Sequence, residues 1–241
     1  MRIGILAIVA SGLVSVSGWA AEADREAIAK AIQNLAPQAK IEAIRPAPIK
    51  DWSEVVLGSQ VVYVSNDGRH LFNGSLYETN ARTDLTELAR GGLRAEALKQ
   101  LPEAAKISFA PEQPKARVTV FTAIDCGFCR QMHRDIEAYQ SRGIAVDYVV
   151  IPRSAPGTPG AESTRQLYCA TDPSAAFDAA MLDQPVQAPS CPAQGYEAGM
   201  AMAQQLSIQS TPTIVFADGS LGLGYLTPDE LDRRVDASAK R

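Results

Sequence analysis

The residues best suited by type and spacing to do chemistry are Cys126-Gly127-Phe128-Cys129. Two cysteines separated by two residues can face each other across the first turn of a helix, so a disulfide between them forms and breaks with little backbone movement. At a helix N-terminus the unpaired N–H groups and the macrodipole favour an anion, which lowers a thiol pKa and raises the thiolate fraction at neutral pH. Cys126, earlier on the helix and expected to be exposed, is the better nucleophile. Cys129, one turn in, can attack a mixed disulfide formed at Cys126 and release what is bound there. The competing reading makes the motif half of a zinc site, completed by Cys169 and Cys191. A closed zinc site usually offers two close pairs, whereas these last two are far apart in sequence, and a strand-to-helix setting favours redox chemistry.

The elements around the motif provide that setting. Val118–Ile124 reads as a strand; Cys129, Met132, Ile136 and Tyr139 then recur at helical spacing, and the apolar run Val146–Ile151 follows. Strand, helix, strand is a βαβ unit. Downstream, Ala161–Ala170, Pro173–Leu182 and Gln194–Leu206 read as helices, Thr211–Phe216 and Leu221–Tyr225 as strands joined at Asp218-Gly219, and Thr227-Pro228-Asp229-Glu230 as a capping box with proline at the first helical position. Pro212 has two open readings: a cis proline that leaves the Thr211 carbonyl and amide free for an incoming peptide, or an ordinary strand-entry proline. Cys169 and Cys191 have no close cysteine or basic neighbour. Their economical reading is a structural disulfide closing a loop of about twenty residues, the alternative being a second redox pair that relays electrons to the first. His133 falls on the face of Cys129 one turn deeper and reads as structural, with thiolate stabilisation the lesser option; His70 reads as structural.

Ahead of this region, Ala27, Ile28, Ala31, Ile32 and Leu35 mark an amphipathic helix from Asp24 to Leu35 that ends at Pro37. Ile41–Ile44, Val55–Leu57, Val61–Val64 and His70–Phe72 form short strands, the last two joined by Asn66-Asp67-Gly68. A sheet this small buries too little surface to stand comfortably alone. Residues 82–106 are charged and helix-prone, interrupted by Gly91-Gly92, which weaken a helix; Ala110–Pro114 then reads as an extended connector. Met1, Arg2 and an uncharged apolar run to Ala21 have the layout of a cleaved export signal, favoured over an uncleaved membrane anchor because serines and glycines dilute the run and no basic stop follows it; a cleaved signal places the mature chain in an oxidising compartment. With a net charge of -4 and no basic block, the chain lacks the electrostatic footprint of a nucleic-acid binder. The divisions expected are a signal at 1–20, a small α+β domain at 21–81, a linker with helix at 82–112, and an α/β domain at 113–241.

Taken together, Arg45-Pro46-Ala47-Pro48, the hairpin Val62–His70, Val118–Cys129, Ile151-Pro152-Arg153 and Ser210-Thr211-Pro212 resemble the periplasmic disulfide isomerases of the DsbC and DsbG type, DsbC more closely. The resemblance implies an α+β chain overall: an N-terminal dimerisation domain, a linker helix, and a thioredoxin-like catalytic domain with a helical insertion, paired as a homodimer in the periplasm. It implies Cys126 as attacking thiol, Cys129 as resolving thiol, Thr211 and Pro212 as the cis-proline loop facing them, Gly127 and Phe128 as further substrate contacts, and a buried structural disulfide between Cys169 and Cys191. The implied partners are misfolded disulfide-containing clients and a membrane electron donor of the DsbD type, with no metal and no soluble cofactor. Phe128 departs from the tyrosine usual there. The rival readings are a dithiol oxidase of the DsbA type and a holdase chaperone.

Overall fold

The computed structural model describes residues 17–240, with side chains from Asp24 onward. The export signal expected at 1–20 lies, up to residue 16, outside the described residues. Among the described residues no helix is long and apolar enough to cross a membrane. The chain divides into two compact units, one ending at Gly74 and the other beginning at Ser75.

In the first unit, helix α1 (Ser17–Leu35) lays Ile28 and Ile32, one turn apart, against Val55, Val62 and Val64. These valines belong to an antiparallel sheet of β1 (Ile41–Pro46), β2 (Trp52–Leu57), β3 (Gln60–Ser65) and β4 (Leu71–Phe72), ordered β1-β2-β3-β4. The turn between β3 and β4 forms where Asn-Asp-Gly predicts it. Ser65 Oγ donates to Asp67 Oδ1 at 2.6 Å, and Gly68 takes the positive φ of 70° that a side chain would resist.

The second unit opens with a short ribbon, β5 (Tyr77–Glu78) and β6 (Thr83–Asp84), and helix α2 (Leu85–Leu98), which Asp84 caps by accepting the Glu87 N–H at 2.9 Å. Contrary to the weak point expected at Gly91-Gly92, α2 runs through both glycines without a break. The reason is packing. Arg94 Nε donates to the Gly219 carbonyl at 2.7 Å, and a Cβ on Gly219 would overlap the Gly91 carbonyl oxygen, so the two backbones meet at a distance only glycine allows.

The sheet of this unit contains β7 (Ile107–Phe109), β8 (Ala116–Thr122), β9 (Ile144–Val150), β10 (Thr213–Val215) and β11 (Leu221–Leu223) in the order β11-β10-β8-β9-β7. Only β8 and β9 run parallel, joined by α3 (Gly127–Arg134) and α4 (Ile136–Ser141). The sequence suggested one continuous helix there, but it divides at Asp135, whose Oδ2 accepts the Tyr225 hydroxyl at 2.6 Å. Strand β7 precedes the expected connector, so the sheet draws on a segment that the sequence reading assigned to the linker. All seven residues of β9 are buried. Asp147 among them is satisfied by Arg117 and by the Ser108 hydroxyl at 2.7 Å, as a buried carboxylate must be.

Between β9 and β10 come α5 (Pro159–Leu167), α6 (Pro173–Met181) and α7 (Gln194–Gln205), and α8 (Pro228–Ser238) ends the fold. Three of these helices start with proline just behind a Thr or Asp cap, and α8 has the complete capping box read from Thr227 and Glu230.

Cys169 and Cys191 are joined, with Cα atoms 5.6 Å apart and a sequence separation of 22. Both are half-buried rather than fully buried, because they tether the insertion where it crosses the surface. Replacing both by serine should lower unfolding free energy by about 3 kcal/mol through the freedom regained by the unfolded loop. Denaturant unfolding measures this, and an unchanged midpoint would show that the bond constrains nothing.

Candidate functional site

Strand β8 ends at Thr122, and the chain turns through Ala123–Asp125 to place Cys126 as the N-cap of α3, with φ -99° and ψ 119°. The extended cap directs the sulfur across the helix start while Cys129 enters the first turn. Both cysteines are free thiols. Cys126 was expected to be exposed, but only 6% of it is, because the loop before β10 covers it. In that loop the Thr211–Pro212 bond is cis. The Thr211 carbonyl, which the cis reading left free for an incoming peptide, accepts the Cys126 thiol at 3.4 Å.

The two sulfurs differ sharply in acidity. Burial opposes ionisation of Cys126, but the Cys129 thiol and amide, Thr211 and the Phe128 amide all favour its thiolate, and together they hold its pKa below the usual cysteine value. At Cys129 burial outweighs the help of the Thr122 hydroxyl and the Ala123 backbone, and pushes its thiol up to about 11. One site thus holds a poised thiolate beside a reserve thiol that stays protonated.

Phe128 is 67% exposed beside the buried sulfur. A 630 Å³ cleft opens over Cys126, walled by Phe128, Gln131, Arg153, Ser210 and Thr211. The open cleft and exposed ring suit an extended peptide laid across the thiol. Gly127 lies on the same wall.

Sequence reasoning missed Arg130. Its Nε donates to the Ile124 carbonyl at 2.8 Å, and its two terminal nitrogens grip Asp183 at 2.5 and 2.6 Å, tying the loop before Cys126 to the end of α6. An arginine directly after Cys129 was the available signal, but its partner lies 53 residues away. His133 is buried against Phe109, Tyr148 and Phe177, and its Nε2 lies 2.8 Å from Asp178 Oδ1. His70 is exposed on its hairpin, away from any chemistry in its own unit. Because Cys169 and Cys191 are bonded to each other, neither can offer a thiolate to zinc.

Comparison with known proteins accounts for both units. Residues 19–87 match the model of the disulfide bond isomerase protein N-terminal domain, and residues 102–239 match a thioredoxin-like domain. The thiol:disulfide interchange protein DsbC of Escherichia coli strain K12 is 31% identical over 230 residues, covering 95% of this chain and 94% of that one. DsbC of Dickeya dadantii is 31% identical over 220 residues, covering 90% and 89%. Among solved structures, a linker-deletion mutant of Proteus mirabilis ScsC superposes with a TM-score of 0.51 at 18% identity, over 65% of this chain and 87% of that one, which is a likeness of fold alone. With its two units matched in order and a relative aligned along nearly its whole length, this chain belongs to the DsbC family of thiol:disulfide interchange proteins.

Proposed function

We propose that this thiol–disulfide oxidoreductase rearranges incorrect disulfides in exported proteins, with Cys126 as nucleophile and Cys129 as resolving thiol. The observation that carries the reading is the split acidity of the pair: a stabilised thiolate at Cys126 attacks a client disulfide, while a protonated Cys129 leaves the mixed disulfide time to be displaced by another client thiol. Displacement by a client thiol is isomerisation; displacement by Cys129 is reduction. Phe128, Gly127 and the Thr211-Pro212 loop hold the client segment in the cleft over the sulfur.

In this reading residues 1–20 are an export signal and the protein works in the periplasm. Residues 21–81 form a dimerisation domain, 82–112 a linker with helix whose last strand, β7, joins the catalytic sheet, and 113–241 the rest of the catalytic domain. A second copy is the partner that best fits the first unit: its edge strand β4 keeps Leu71 and Phe72 at 38% and 42% exposure, an unpaired apolar edge of the kind that pairing removes. A membrane donor of the DsbD type returns the pair to the dithiol state after each reductive turnover.

The test is a multi-disulfide protein offered in two forms, scrambled and fully reduced. The reduced mature chain should restore activity to the scrambled form. If the reduced chain never rescues the scrambled form, and the chain carrying a Cys126–Cys129 disulfide only oxidises the fully reduced form, the chain is a dithiol oxidase and the isomerase reading is wrong.

A further inference from the structure

Among the described residues three buried side-chain polar atoms have no hydrogen-bond partner: Thr122 Oγ1, Tyr148 Oη and His133 Nδ1. An unsatisfied polar atom in a protein interior costs about 1–3 kcal/mol, so proteins rarely keep one without cause. These three are gathered in one place. Thr122 and Tyr148 lie on the adjacent parallel strands β8 and β9, where Val120 pairs with Tyr148 and Thr122 with Val150, so both point to one face of the sheet. Helix α3 crosses that face and brings down Cys129 and, one turn later, His133. The Thr122 hydroxyl lies near enough to the Cys129 thiol to favour its ionisation, although without a well-formed hydrogen bond. The His133 and Tyr148 rings are 5.5 Å apart, centre to centre.

His133 also has an outward side. Its Nε2 is 2.8 Å from the carboxylate of Asp178, whose side chain is 52% exposed. A carboxylate at Nε2 requires the proton there, which leaves Nδ1 as a bare lone pair inside the core. The groups packed on the imidazole are Asp178 and Phe177 from α6, Tyr148 from β9 and Phe109 from β7, with Cys129 one turn earlier on its own helix; the nearby titratable groups are therefore one carboxylate at the surface, one phenol and one thiol. Burial outweighs the Asp178 carboxylate and holds His133 below its usual pKa, so it is a neutral base at pH 7.

Resting on the assignment of Cys129 as the resolving thiol, we propose that His133, oriented by Asp178 and reached through the Tyr148 hydroxyl, takes the Cys129 proton in the resolving step and passes it to solvent. In that step the proton leaves the Cys129 sulfur for the imidazole. The new thiolate attacks the Cys126 sulfur of the mixed disulfide, a Cys126–Cys129 bond forms, the bond from Cys126 to the client breaks, and the client departs as a thiolate. The dithiol is oxidised by two electrons and the client disulfide is reduced by the same two. The imidazolium then loses its proton on the Asp178 side. Asp178 is a positioning residue that fixes the tautomer, and the route links a thiol with no exposed surface to water.

The test follows the full-length reduced protein in stopped flow with an aromatic disulfide whose thiolate absorbs. Attack by Cys126 releases one equivalent in a first phase, and resolution by Cys129 releases the second. His133→Gln should slow the second phase by about 10²-fold, the scale of general-base catalysis. Tyr148→Phe and the surface change Asp178→Asn should slow the same phase by less. The wild-type second phase should rise with pH through the ionisation of His133 and then level off, whereas in His133→Gln it should keep climbing toward the pKa of Cys129, near 11. A second phase with wild-type rate and pH profile in both His133→Gln and Tyr148→Phe overturns the proposal. So does an equal slowing of both phases in His133→Gln with the other two variants unaffected, because that marks damage to packing alone. A missing first phase in the wild-type protein would sink the nucleophile assignment instead.

Discussion

Replacing Cys126 with serine should reduce the rescue of a scrambled multi-disulfide protein to the uncatalysed rate, whereas Cys129→Ser should leave the first attack intact and accumulate covalent enzyme–client complexes. A serine hydroxyl stays protonated at neutral pH and its oxygen cannot replace sulfur in a disulfide, so nothing at position 126 opens the client bond. The second variant keeps the stabilised Cys126 thiolate but removes the thiol that clears it. The surviving mixed disulfides then depend on client thiols for release, which permits isomerisation and blocks reduction. Non-reducing electrophoresis after alkylation counts the trapped species, and regained client activity measures the rescue. Equal loss in both variants with no trapped species would contradict the division of roles.

Gly219→Ala should destabilise the protein by about 3 kcal/mol or more, the sum of overpacking and of a left-handed backbone forced on a residue with a Cβ. Gly219 has φ 74°, its new methyl would run into the Gly91 carbonyl, and the Arg94 bond to its own carbonyl would be displaced. The control lies one residue beyond Gly91. A Cβ at Gly92 meets nothing within 4 Å, so Gly92→Ala should stabilise by up to about 1 kcal/mol through helix propensity. Chemical denaturation distinguishes the two, and a Gly219→Ala protein as stable as the parent would mean that the close approach of α2 to the β10–β11 turn carries no weight.

These glycines show where reading the sequence succeeds and where it stops. Features written in adjacent residues were legible: the strand-to-helix junction at Cys126, the turn at Asp67-Gly68, and the capping box at Thr227 and Glu230, because each is a local pattern with a local cause. The Cys169–Cys191 disulfide was the economical reading of the two cysteines outside the motif, and the family resemblance implied it. Gly91-Gly92 was read as a flaw because helix propensity is local, while the reason for Gly91 is Gly219, 128 positions away. Ile107-Ser108-Phe109 is too short to announce a strand and becomes one only because β9 offers an edge. The burial of Cys126 depends on a loop 85 positions further along the chain, and Arg130 acquires a role only when Asp183 folds back to it. Chemistry stated by residue type was readable; chemistry set by neighbours distant in the chain was not.

The Cys169–Cys191 bond has a consequence for the protein's own history. Both residues begin as thiols on a newly made chain, and the pair lies in the stretch between β9 and β10 that carries α6, from whose end Asp183 reaches Arg130 beside the working cysteines. A copy retained in a reducing compartment would carry that stretch untethered, with Cys169 and Cys191 open to pairing with Cys126 or Cys129. Before it can correct the bonds of others, the molecule must itself be oxidised, at one pair of sulfurs and not at the other.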